Sequence, residues 1–226
     1  MPTVGKSAPA QCLTSDMVLV HKVFRRELRL LAVLISDAGL GDLQRATALA
    51  AHYDELATAL RHHHQAEQDL LLRKLRDRAP LAQEVEEQLT RFHRQHAELM
   101  TELDSLLPLW VQSPDADLRG VVADILTELA AAVADHLDVV EETVLPAVDR
   151  HFTSGEWLTL GLRAASWIPL NRMAWMLGAM LEDATETERK SLMSRVPAPA
   201  RLLYRMVGQE QYAREIRALR GGLTSV

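Results

Sequence analysis

Apolar residues recur along the first two thirds of the chain at intervals of three and four, the spacing that lines one face of an α-helix. Met17, His21, Phe24, Leu28, Leu31 and Ile35 form the first stripe. Ser15 or Asp16 is placed to cap it, and Asp37-Ala38-Gly39-Leu40-Gly41 to break it. A longer stripe runs through Leu49, Leu56, Leu60, His63, Glu67, Leu70 and Lys74 to about Arg78, where Pro80 interrupts. The third carries Leu89, Phe92, His96, Leu99, Leu103 and Leu107, and stops at a connection built from Pro108 and Ser113-Pro114-Asp115. The fourth carries Val122, Leu126, Leu129, Val133, His136, Val140 and Val144, ending near Pro146 or slightly beyond. Four long helices with short links predict an all-α, up-down-up-down four-helix bundle over residues 15–152.

The ends of the chain read differently. Residues 1–14 carry Pro, Gly and Ser with little periodicity, the composition of a flexible arm. Ser154-Gly155 marks a second boundary, beyond which residues 153–226 form a helical extension packed on the bundle. Its pattern predicts a helix over 156–181 kinked at Pro169, a shorter one from about Glu186, and another after Pro197 and Pro199. Trp157, Trp167, Trp175, Met173, Met176 and Met180 concentrate there, either as a surface that docks on the bundle or as the wall of a substrate pocket.

Composition narrows the class. The 226 residues are 48% hydrophobic, enough for a sizeable core, and only 4% aromatic, which with abundant Leu, Ala, Glu and Arg favours helix over sheet. A formal net charge of −6 argues against nucleic acid as a partner, because that partner demands basic surface. Cys12 is the sole cysteine, so an intrachain disulfide and a thiolate metal cluster are both excluded. No leader-like apolar stretch opens the chain, and no apolar run approaches the ~20 residues of a membrane span. The expectation is a soluble, cytoplasmic protein without a membrane partner.

Function rests on the histidines. His21, His62-His63-His64, His93 and His96, and His136 fall within the four helical stripes, and Glu67 and Glu141 follow two of them by about one turn. Antiparallel neighbours meet where residues lie equally far from a shared turn. At ~1.5 Å per residue, His63 and His96 come level to within about a turn, and His21 somewhat less closely. His21, His63, His96 and His136 lie on the apolar stripes and point inward. Burying so many titratable groups together is costly unless a cation compensates. Nitrogen and oxygen donors without thiolate suit iron, manganese or zinc. In a bundle of this kind a carboxylate-bridged dinuclear iron site is the leading candidate. Its expected metal ligands are His21, His63, Glu67, His96, His136 and Glu141. His62 and His64 fall to either side of that face and are assigned to solvent or to the surroundings of the site, and His93 lies on an adjacent edge of its helix, from which it either binds metal beside His96 or stands around the ligands. Glu141 follows His136 by five residues, about 140° around a regular helix, so it joins the site by reaching across or through a π-bulge. His52 and His151 lie too far along their helices to share the same metals.

These residues resemble the hemerythrin-like (HHE cation-binding) family, whose usual pattern is a lone His on the first helix, His-x-x-x-Glu on the second, His on the third, and His with a carboxylate on the fourth. The matching elements are His21 in HKVFRREL, His63 and Glu67 in HHHQAEQDLLL, His96 in HRQHAEL, and His136 with Glu141 in HLDVVEETVLP. The resemblance covers residues 15–152 and is nearest to bacterial members with a helical C-terminal extension. Gln68 and Arg73 stand where family members often carry an acid and a proline. Val140 stands where an acid is frequent, which leaves Glu141 or Glu142 to supply the second carboxylate.

The resemblance implies a non-haem diiron centre, two irons per chain, that takes dioxygen, another small oxidant such as peroxide, or nitric oxide, with an electron donor as partner. Glu27 and His93 are expected around the ligands. Three functions follow: a carrier or sensor of O2 or NO, a redox enzyme or oxygenase acting on peroxide, NO or a carbon substrate, and a metal-free interaction module. The 70 or so residues after the bundle favour an enzyme or sensor over a simple carrier.

Overall fold

The computed structural model describes residues 14–81 and 83–221, and among them the chain is helical without strands. Helix α1 is Ser15–Ser36. Helix α2 joins Leu43–Ala66, a π-helical segment Glu67–Leu72, and Arg73–Arg76. Helix α3 is Gln83–Gln112. Helix α4 joins Ala116–Val139, a π segment Val140–Val144, and Leu145–His151. Each packs on the next and α1 closes on α4, so the four form a ring of neighbours, the predicted bundle.

Local chemistry explains most of the boundaries. Asp42 and Asp115 cap α2 and α4 by accepting from the backbone N–H of Arg45 and Leu118. At α1 the expected cap is different: Ser15 is already helical, and the Asp16 carboxylate accepts from the Trp157 indole and from Arg195 of the extension. Pro108 does not end α3. The helix continues through it because Leu107 and Trp110 are buried and hold the last turn in the core, which leaves residues 113–115 as the connection. In α4 the wide π turn lies just ahead of Pro146, whose ring lacks an N–H and would crowd an ordinary helical turn.

The extension is more broken than the periodicity suggests. Helix α5, Ser154–Ala165, starts with a Thr153–Glu156 capping box and stops before Pro169. A 3-10 turn, Leu170–Arg172, leads into α6, Met173–Glu182, so Pro169 separates two helices rather than kinking one. Helix α7 is Glu186–Arg195, and α8 joins Ala198–Leu203, a π segment Tyr204–Gly208, and Gln209–Arg220. Trp157 and Leu160 bury themselves at one end of the bundle, while Trp175, Ala179 and Tyr212 pack on Val23 of α1.

The bundle core is divided. One apolar cluster runs from Phe24, Leu60, Leu99 and Leu137 towards the α1–α2 turn. The other runs from Leu70, Leu89 and Val140 towards the α2–α3 turn. Every helix crosses from one cluster to the other where its histidines stand. A polar layer therefore sits across the middle of the bundle, walled by hydrocarbon on both sides. Among the described residues no helix is long and apolar enough to cross a membrane.

Candidate metal centre

Helix α1 contributes His21 to the layer, α2 contributes His63, His64 and Glu67, α3 contributes His93 and His96, and α4 contributes His136. His21, His96 and His136 are completely buried, and Glu67 is 4% exposed. The rings crowd together: His21 meets His63 edge-on at 5.4 Å between centroids, and His93 meets His136 at 4.8 Å. Phe24 packs on His63, and Phe92 on His96 and His136.

Among the described residues, the buried atoms that face one another in this layer have no hydrogen-bond partner. They are Nε2 of His21, His63, His93 and His96, both ring nitrogens of His136, and both oxygens of Glu67. Glu67 Oε2 lies 3.4 Å from His136 Nε2 and 3.6 Å from His93 Nε2, longer than good hydrogen bonds. Buried polar groups are almost always satisfied, so such a concentration of orphaned lone pairs describes the lining of a cation site. Two overlapping sets have donor atoms all within 4.8 Å of one another: Glu67, His93 and His136, and His64, His96 and His136.

Electrostatics agrees. Burial pushes the His63 imidazole down to about 3, reinforced by neighbouring His21, and pushes His96 down to about 4 against a hydrogen bond that its ring donates to the Ala132 carbonyl. Burial lowers His21 as well, opposed by Glu141. It raises the Glu67 carboxyl, but contacts with His136 and His93 outweigh it and hold the group well below the usual carboxylate range. Near neutrality Glu67 is thus an ionised carboxylate, and His21, His63 and His96 are neutral imidazoles, which is the protonation state a metal requires of its ligands.

Some side chains are placed otherwise than the sequence suggests. Glu141 lies outside both donor sets. Its Oε1 accepts from His21 Nδ1 at 2.7 Å and from Arg25 Nη1 at 2.6 Å, and Arg25 is steadied by Asp138. The π turn anticipated near Glu141 is present, yet the Arg25 cation, four residues after His21, engages the carboxylate at the edge of the layer. Glu142, the alternative acid, is exposed.

His64 does not point away. It is 8% exposed, stacks on His93 and His96, and continues the spacing of four set by Leu56 and Leu60, a signal the sequence carried. His62 turns outward against Trp167 of the extension. His93 reaches both sides of the wall: its Nδ1 pairs with the exposed Gln68 amide at 3.1 Å while its Nε2 is buried.

Glu27 is not beside the ligands. It accepts from Arg26 and Arg220 and meets His52, in a buried charge cluster that fastens the extension to α1. His151 is exposed at the end of α4. The expected flexible arm over residues 1–14 falls outside the described residues except for Thr14, which opens onto α1.

The family model described as the hemerythrin HHE cation binding domain matches residues 12–148. No curated protein and no solved structure matches the chain.

Proposed function

The chain belongs to the hemerythrin HHE cation-binding domain family, and from that premise we propose that its polar layer holds two non-haem irons and that the protein binds and reacts with dioxygen, peroxide or nitric oxide there. The observation that carries this reading is the set of buried, partnerless imidazole nitrogens and carboxylate oxygens on four helices. Donors of this type, without thiolate, suit iron. His21 and His63 would hold one ion, His93, His96 and His136 the other, with Glu67 shared between them. Bound iron would supply the redox chemistry for a small molecule.

The chain's own residues prepare that centre. The Glu141 carboxylate, held by Arg25, takes the Nδ1 proton of His21 in a hydrogen bond and leaves the Nε2 lone pair facing inward. Gln68 fixes the ring of His93 at the solvent edge. The two apolar clusters and the Phe24 and Phe92 rings exclude bulk water above and below the layer.

The test is reaction of the reduced, iron-loaded protein with each small molecule under rapid mixing. Rapid loss of peroxide, loss of NO or formation of a hydroxylated product marks an enzyme. Release of intact O2 on lowering its pressure marks a carrier or sensor. An absorption spectrum unchanged by O2, peroxide and NO alike would overturn the reading.

A further inference from the structure

We infer that His64 is itself a metal ligand, completing coordination on the α3–α4 side of the layer where the sequence leads one to expect a second carboxylate; this rests on the metal-centre reading above. Three observations carry it. The first is position: the His64 ring is buried between α2 and α3, 4.5 Å from His93, 5.0 Å from His96 and 5.3 Å from His136, centroid to centroid. The second is convergence. His64 Nε2 lies 3.3 Å from His96 Nδ1, and donor atoms of His64, His96 and His136 all fall within 4.8 Å of one another. Three donors bound at about 2.1 Å to one ion stand about 3.0–3.6 Å apart, so the three rings share a metal after shifts of up to about an ångström.

The third is the shortage of oxygen. Glu141 Oε1 is committed to His21 and Arg25, which leaves Glu67 as the inner carboxylate. A hydrogen bond between His64 and His96 accounts for one contact of the ring, but leaves the buried nitrogens of His136 without a partner. A cation bound by the three imidazoles accounts for one nitrogen from each of them. With one inner carboxylate in place of two, the donor set carries one negative charge fewer. The site then favours the lower oxidation state of a bound metal relative to a centre with two carboxylates.

The direct experiment loads the full-length wild-type protein with NMR-active cadmium and reads scalar coupling between the metal and the ring protons of isotope-labelled histidine. His64→Gln and His64→Leu serve to assign the resonances and to measure affinity for Co(II). The expected result is a cadmium coupling to His64, and in both variants a Co(II) affinity at one site lower by about 10-fold or more with the helical circular dichroism unchanged. If two metals bind and His64 shows no coupling, the inference is overturned while the metal-centre reading stands. If the wild-type protein takes up no metal, both fall together. Should the variants fail to fold, backbone-to-ring correlations assign His64 in the wild-type protein, and its cadmium coupling alone decides.

Discussion

Replacing Arg220 with alanine should cost the folded protein about 3 kcal/mol, because it strands buried charge at the junction between α1 and the extension. Arg220 is 4% exposed, and its guanidinium donates to Glu27 Oε1 at 2.6 Å and to Glu182 Oε1 at 2.6 Å. Glu27 is 1% exposed; burial pushes its carboxyl up, but His52, Arg26 and Arg220 hold it down at about 2. Removing one partner of a buried pair typically costs ~3–5 kcal/mol. The low end applies here, since Glu27 keeps Arg26 Nε at 2.8 Å and Glu182 keeps the Tyr212 hydroxyl. For a protein of this size ~3 kcal/mol lowers the melting temperature by about 6–12 °C.

The natural control is Arg217→Ala on the same helix. Its pair with Glu210 is 65% and 72% exposed and contributes less than ~1 kcal/mol. Urea and thermal unfolding of the metal-free protein, followed by circular dichroism, give both numbers. Adding Glu27→Gln to Arg220→Ala removes the stranded charge, so the double variant should lose less than the sum of the single changes. Equal melting temperatures for Arg220→Ala and Arg217→Ala would refute the claim that this charge cluster fastens the extension.

Acid should destabilise the metal-free protein in a defined window. His63 and His96 are held at about 3 and about 4 in the fold against 6.5 in the unfolded chain, so the unfolded chain binds more protons between those values. Stability is then complete above about 6.5 and declines as pH falls to about 3; urea midpoints that stay level across this range would contradict it. Glu141→Gln should keep the fold and both metals but weaken metal affinity about 10–100-fold in a chelator competition, through loosened orientation of His21. Loss of one metal outright would instead place Glu141 among the ligands. At Gly178 an added Cβ would sit 2.5 Å from Tyr212 Cγ, on a ring whose hydroxyl is tied to Glu182. Gly178→Ala should therefore cost about 1–3 kcal/mol, and a melting temperature equal to wild type would show that the ring moves aside freely.

The bundle was legible because its information is local. Stripes such as Leu28, Leu31 and Ile35, or Leu99, Leu103 and Leu107, repeat at helical spacing, and counting from the turns set the histidines level. His64 was legible too, four residues after Leu60. Adjacent residues lie about 100° apart on a helix, and a helix flanked on two sides can bury both, one towards each neighbour.

Other features depended on distant partners. The five-residue step from His136 to Glu141 pointed to a π turn, which the structure contains. Where the carboxylate then went depended on Arg25 of another helix. The Glu27–Arg220 contact joins residues 193 apart and leaves no periodic trace. Pro108 and Pro169 show the same limit: burial of Trp110 carries a helix through the first, while no buried anchor sits on the 3-10 turn after the second.

Metal analysis of protein purified without a histidine tag, after growth with iron, tests the diiron centre most directly. About two irons per chain are expected, with both lost on replacing Glu67 by glutamine and one lost on replacing His136 by leucine, while the helical content is retained. Zinc alone, or no metal at all, would contradict it.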